Sequence, residues 1–284
     1  MSIATGRLGN NLWQVVGLVN EPRFIGYKKL FIGYSEVLNT IDVGGIDDCY
    51  WLEVGARDSF VLNCLRSSMF FLANKTRLLG FINYDLSVRK GGVGNVLVSA
   101  PISYLPASWA NGRTIFLPPL RKEMISRVES WLASRGLIKE NFALIHVRLG
   151  DALHWPSPER PMALSGEFYE EAIRDLKVNN NITKFVVITD DEEAARQLLG
   201  EPGERFLYTN NSFIFDFTMF ALAPNLIVSD GTFSFWGVMY SRACRGLQYN
   251  GNAPSYFLRP PVNPKCYSLD WFVGGVQTQL SRVA

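Results

Sequence analysis

Apolar and polar positions along this chain follow two rhythms. Between residues 121 and 135 the apolar side chains Met124, Ile125, Val128, Trp131 and Leu132 recur at helical spacing and predict an amphipathic helix. After that the pattern alternates. Continuous apolar runs predict strands at 142–148, 184–189, 205–208 and 226–229. The segments after them, at 166–177, 191–199, 213–223 and 232–244, read as helices, and Phe168, Ala172, Ile173 and Leu176 form the clearest stripe. Strands alternating with helices of this length predict βαβ units around a parallel sheet.

The first half is more mixed. A helix is expected at 10–20 after a glycine turn, with strands at 29–34, 95–100 and 114–117. Pro118 and Pro119 then stop the chain and mark a domain boundary. The expected organisation is an N-terminal domain at 1–120, a second at 121–250, and a Pro-, Tyr- and Trp-rich tail at 251–284 that packs back across both. A length of 284 residues accommodates this.

Composition narrows the function classes. The chain is 48% hydrophobic and 19% charged, enough apolar material for real cores. Its 28 basic and 26 acidic residues leave a formal charge of +2, which gives no footprint for nucleic acid. Cys49, Cys64, Cys244 and Cys266 are far apart and make no C-x-x-C pair, and there are only two histidines, so neither a zinc site nor a disulfide framework is expected. No apolar run is long enough for a membrane span and no leader pattern opens the sequence, so a cytoplasmic location is expected, with peripheral membrane association left open.

Four segments carry candidate chemistry. In Phe142-Ala143-Leu144-Ile145-His146-Val147-Arg148-Leu149-Gly150-Asp151 an apolar strand ends in a histidine, an arginine and an aspartate. Ligands of open α/β sheets bind beyond the carboxyl ends of the strands, and an arginine fork there suits a phosphate or carboxylate. An ion pair between Arg148 and Asp151 would explain the same residues. Gly6-Arg7-Leu8-Gly9-Asn10-Asn11-Leu12-Trp13-Gln14 places two glycines before a helix, which is either an anion-binding turn or a plain tight turn. Thr189-Asp190-Asp191 follows a strand of its own, and Asp191 also suits a helix N-cap. Ser229-Asp230-Gly231-Thr232-Phe233-Ser234-Phe235-Trp236-Gly237 turns a strand into a helix whose first N–H groups could cradle a phosphate. Asp216 stands apart, an acid among Phe213, Ile214, Phe215, Phe217 and Met219, where a charge needs a partner.

Together these segments resemble the α1,2-, α1,6- and protein O-fucosyltransferase superfamily, and most closely its bacterial-type α1,2 branch. The opening segment matches that branch's G-x-L-G-N-Q-M/L-F-Q, and His146, Arg148, Gly150 and Asp151 match H-x-R-x-G-D. Asp190-Asp191 matches an acidic pair after a strand, and residues 229–237 match S-N-S-T-F-S-W-W-G. Order and spacing agree from residue 6 to about 245. The chain departs from the pattern at Leu149, Ala152, Asp230, Gly231 and Phe235.

The resemblance implies an α/β protein of GT-B type, two Rossmann-like domains facing a cleft, with the nucleotide held mainly by the C-terminal one. It implies inverting, metal-independent transfer of L-fucose from GDP-fucose to a galactose-containing glycan, with no cofactor. On that basis Arg148, His146 and Asp151 are the catalytic candidates. Arg7, Gly9, Asn10, Asp190, Asp191, Asp216, Thr232, Phe233 and Ser234 are the donor-binding candidates, and Asp216 would read the guanine edge. Asp151 is either a proton acceptor or an arginine partner. A transferase using another nucleotide sugar, or a non-catalytic relative, would share the architecture.

Overall fold

The computed structural model describes residues 2–3, 8–20, 28–44, 46, 48–54, 64–65, 67–69, 71–72, 76, 80–82, 88–89, 97–99, 117–137, 142–154, 156–157, 160–161, 163–229, 232–240, 247–249 and 280–282. The chain divides into two compact units that meet in sequence between Arg121 and Lys122.

In the first unit β1 (Ser2–Ile3), α1 (Leu8–Asn20), β2 (Lys29–Tyr34), α2 (Ser35–Thr40) and β3 (Cys49–Val54) build a three-stranded parallel sheet in the order β1-β2-β3. Leu8, Leu12, Val15 and Val16 of α1 are buried, as is Phe31 of β2. A second small sheet has the order β5-β4-β6, from β4 (Gly80–Ile82), β5 (Val88–Arg89) and β6 (Leu97–Ser99). The unit's last residues are tied to α2: Arg121 N donates to the Thr40 carbonyl at 3.1 Å and Asp42 N to the Pro119 carbonyl at 2.6 Å. Most of the strand expected at 114–117 lies outside the described residues, and nearby only an isolated bridge joins Leu120 to Ile41. Hydrophobic periodicity predicts none of α2, β3 or β4, because elements of three to six residues are too short to establish a period.

The second unit runs α3 (Lys122–Ser134), β7 (Phe142–Val147), the paired β8 (Pro156–Ser157) and β9 (Arg160–Pro161), α4 (Gly166–Asn180), β10 (Lys184–Thr189), α5 (Glu192–Leu199), β11 (Phe206–Tyr208), α6 (Phe213–Leu222), β12 (Asn225–Val228) and α7 (Thr232–Tyr240). This is the alternation read from the sequence. α4 continues three residues past the expected end at 177, because Asn181 adopts the left-handed conformation that stops a helix, at φ 55°. The end expected for α7 at 244 lies outside the described residues, as does nearly all of the tail. β13 (Leu247–Tyr249) pairs antiparallel with β14 (Leu280–Arg282).

The main sheet is parallel throughout, in the order β11-β10-β7-β12. All six residues of β7 are buried, which is why the strand reads as a continuous apolar run. α6 packs against both α3 and α7. Trp131 of α3 meets Phe215 of α6 edge-on at 5.9 Å, and Phe217 of α6 meets Tyr240 of α7 at 5.6 Å. Gly237 lets α7 approach α6, since a Cβ there would stand 2.6 Å from the Phe220 ring. From β7 the chain passes outward to β10 and β11, then returns to place β12 on the other side of β7. The strand order therefore reverses between β7 and β12, the position at which open α/β sheets bind ligands beyond their strand ends.

Candidate functional site

His146 stands at that reversal, paired in register with Val228 of β12 and Ile188 of β10. Its ring is buried, and Nδ1 faces two hydroxyls, Ser229 Oγ at 2.8 Å and Ser234 Oγ at 2.7 Å. Phe233 lies 5.4 Å from the ring and Phe220 5.6 Å. The Tyr169 hydroxyl donates to the His146 carbonyl at 3.5 Å. Burial lowers the His146 pKa to about 4, further lowered by Arg148 and partly opposed by Asp190. The imidazole is therefore neutral at pH 7, a rigid polar group inside an aromatic box.

Arg148 is the first residue past the end of β7. Its guanidinium donates to Asp151 through Nε and Nη2, at 3.0 to 3.1 Å. Asp151 opens a short 3₁₀ turn, Asp151–Leu153, which carries its carboxylate back toward the arginine. The intervening backbone is held from β10. Asp190 Oδ1 accepts from Leu149 N at 2.8 Å and from Gly150 N at 3.3 Å.

Asp191 caps α5, accepting from Ala194 N at 3.0 Å. Thr189 Oγ1 accepts from Asp191 N at 3.1 Å and steadies the turn. Of the two readings of Asp191, the geometry displays the cap. The acidic pair thus divides its labour, one carboxylate holding the β7 exit and the other starting a helix.

Asp216 lies in the first turn of α6 and is buried. It is one turn before Phe220 and so shares the helix face that reaches His146. Burial raises its pKa to about 6, while Thr209 beside it pulls the other way. Asp216 Oδ1 and Thr209 Oγ1 nevertheless both lack a partner at hydrogen-bonding geometry. Thr209 lies in the loop that follows β11, and both oxygens are enclosed by protein. Around the other side of the same loop, Ser126, Arg127, Ser130, Trp131, Asn210, Asn211, Ser212 and Phe215 line an open depression of about 640 Å³.

Of the sequence-predicted residues, His146, Phe233 and Ser234 meet directly. Arg148 meets Asp151, and Asp190 touches the turn that joins them. Gly9 is a buried position of α1 in the first unit. Arg7 and the side chains of Asn10 and Thr232 lie outside the described residues. Three contributors carry no signal strong enough to single out in the sequence: Ser229 on the His146 ring, Tyr169 beneath its carbonyl, and Phe220 against its edge. A serine directly after a strand is common, and Tyr169 and Phe220 read simply as members of helical apolar stripes.

Residues 120–243 match the sequence model of glycosyl transferase family 11, and over that stretch the resemblance drawn from the motifs is borne out. No curated protein matches the chain. Among solved structures the chain is similar to the selenomethionine crystal structure of fucosyltransferase NodZ from Bradyrhizobium, at a TM-score of 0.49 and 12% identity, over 84% of this chain and 91% of that one.

Proposed function

We propose that this protein transfers L-fucose from GDP-fucose to a hydroxyl of a galactose-containing glycan, with inversion and without a metal ion, forming an α1,2 linkage. One observation carries the reading. The neutral His146 meets the first turn of α7 where the strand order reverses, and Arg148 leaves β7 two residues further on, within the segment that matches glycosyl transferase family 11.

In this reaction the bond between C1 of fucose and the β-phosphate oxygen breaks, and its electron pair leaves with GDP. The acceptor oxygen forms the new bond to C1 from the opposite face and sheds its proton. Negative charge grows on the leaving phosphate, and fixed donors stabilise it best because they need no reorganisation. Arg148 is the charged donor, and the free N–H groups at Thr232, Phe233 and Ser234 add the partial charge of a helix start. Ser229 or Ser234 donating to Nδ1 leaves Nε2–H as the donor of a neutral imidazole, toward the phosphate or ribose. Asp216 accepts from N1–H and N2–H₂ of guanine, which supplies the partners its carboxylate lacks.

A thermal-shift panel tests the donor. GDP is expected to raise the melting temperature more than UDP, CMP or ADP at equal concentration, because a ligand stabilises the fold it binds. Equal shifts, or a preference for UDP, would refute the guanine assignment.

A further inference from the structure

We infer that Asp190 is a positioning residue: its carboxylate, reaching over from β10, clamps the Leu149–Gly150 backbone and thereby aims Arg148 at the leaving phosphate. This rests on the reading of Arg148 given above and gives Asp190 a role within it. The clamp spans 41 positions in sequence and joins the ends of two adjacent strands. Oδ1 takes both N–H groups, at 2.8 Å and 3.3 Å. Arg148 has just left the sheet ladder at this point, so its backbone is fixed on one side by β7 and on the other by this turn. Leu149 is buried, which pins the turn from below.

Glycine at position 150 fits the same account. A Cβ there would stand 2.8 Å from Asp190 Oδ2 and 3.3 Å from its Cγ, well inside normal contact. A methyl group at 150 therefore pushes on the carboxylate that makes the clamp and disturbs it. The glycine and the distant aspartate form one device, which explains why Gly150 and Asp190 sit in separate motifs yet meet.

The role separates Asp190 from a group that touches the donor. What the turn needs is an acceptor at Oδ1, and an amide oxygen supplies one. Asp190→Asn is thus expected to keep kcat and GDP affinity within about threefold of the parent. Asp190→Ala, which leaves two N–H groups without their acceptor, is expected to lower GDP affinity and kcat each about tenfold or more. Gly150→Ala is expected to reproduce the alanine defect, and it carries the test if Asp190→Ala fails to fold. Amide hydrogen exchange at Leu149 should quicken at least tenfold in Asp190→Ala and Gly150→Ala but not in Asp190→Asn. That exchange is read without any donor, so it tests the clamp even if the parent protein does not bind GDP, which would instead overturn the donor reading. An asparagine variant as impaired as the alanine variant would show that the charge itself is required and would overturn the inference. So would a Leu149 amide that exchanges alike in all forms.

Discussion

The Arg148 guanidinium and the Asp151 carboxylate, three residues apart, share three hydrogen bonds of 3.0 to 3.1 Å. Asp151 is about half exposed, with 52% of its side chain open to solvent, so the pair contributes little to stability, on the order of 0–1 kcal/mol. Its effect is geometric: it holds a planar fork in one orientation. Arg148→Ala is expected to fold normally and to lose about 10²–10³ in kcat, the cost of one preorganised donor at a developing charge. Asp151→Asn keeps an oxygen for Nε or Nη2 but not the full clasp. It is expected to fall between parent and Arg148→Ala in kcat/KM, with stability changed by less than about 1 kcal/mol. Near-normal kcat in Arg148→Ala would make the arginine structural and remove it from the mechanism.

Two buried groups give opposite pH dependences. The folded pKa of Asp216 is raised to about 6, so its contribution to stability is present at low pH and is lost as pH rises toward 6. The folded pKa of His146 is lowered to about 4, so its contribution is present above pH 6.5 and is lost as pH falls toward 4. The shifts are of similar size, on the order of 3 kcal/mol each at 1.36 kcal/mol per unit, and they oppose one another across this window. Asp216→Asn should therefore uncover a loss of stability between pH 6.5 and pH 4 that the parent largely conceals. The same variant should be more stable than the parent at pH 7.5 and bind GDP more weakly. Denaturant melts at several pH values, with GDP titrations alongside, check both. If stability is unchanged and binding is kept, Asp216 neither carries a buried charge nor meets the base.

The sequence announces the second unit well and the first unit poorly, for a physical reason. β7 and β10 are buried strands of six residues, and their unbroken apolar runs bracket helices long enough to show a stripe. In the first unit α1, β2 and β6 fall where a helix and two strands are expected, but β1, β4 and β5 have two or three residues each, below the length at which any period is visible. At the site, the residues that carry charge were legible and those that hold them were not. Arg148 and Asp216 stand out because a charge beside apolar neighbours demands explanation. Asp190 looks equally functional, but its partner is backbone 41 positions away, and no sequence pattern reports a contact of that kind. Ser229 supports His146 through a hydrogen bond and Phe220 through ring packing, both between residues far apart in sequence.

Gly237 connects packing to that histidine. A methyl group there would lie 2.6 Å from two atoms of the Phe220 side chain, close to its attachment point rather than at a mobile tip. Phe220 cannot move aside without shifting against His146 and Phe233. Gly237→Ala is expected to cost about 1–3 kcal/mol, as overpacked cores do, and to reduce kcat beyond what the stability loss explains. Chemical denaturation and kinetics measured well below the melting temperature separate the two effects. An alanine variant with parental stability would show that the helices can part at this point without cost.

Activity is expected to survive excess EDTA. In the proposed reaction the role a divalent cation plays at a departing diphosphate falls to Arg148 and the start of α7. Among the described residues no three His, Cys, Asp or Glu side chains form a group able to hold a metal ion, and Asp190 and Asp191 are engaged with backbone N–H groups. Loss of turnover in EDTA that magnesium or manganese restores would reassign those two aspartates as ligands.

The product is expected to be an α-linked fucose on the 2-hydroxyl of a terminal β-galactose. The donor's anomeric carbon is β-linked to phosphate, and a single displacement inverts it, so the mechanism alone requires an α product. The position on galactose is part of the proposal, which rests on the resemblance of residues 6–14 and 229–237 to the α1,2 pattern. Three departures from that pattern are expected to alter which acceptor is chosen. Leu149 and Ala152 are buried beside Arg148 and Asp151, so each alters the floor of the turn that carries the arginine and not its charge. Phe235 replaces a tryptophan in the first turns of α7. Donor chemistry should therefore be kept while acceptor preference shifts. Incubation with GDP-fucose and a panel of galactosides, followed by NMR of the purified product, resolves anomer and position separately. A β-linked product would reject single displacement, whereas an α product at the 3- or 6-position would keep the mechanism and reject the branch.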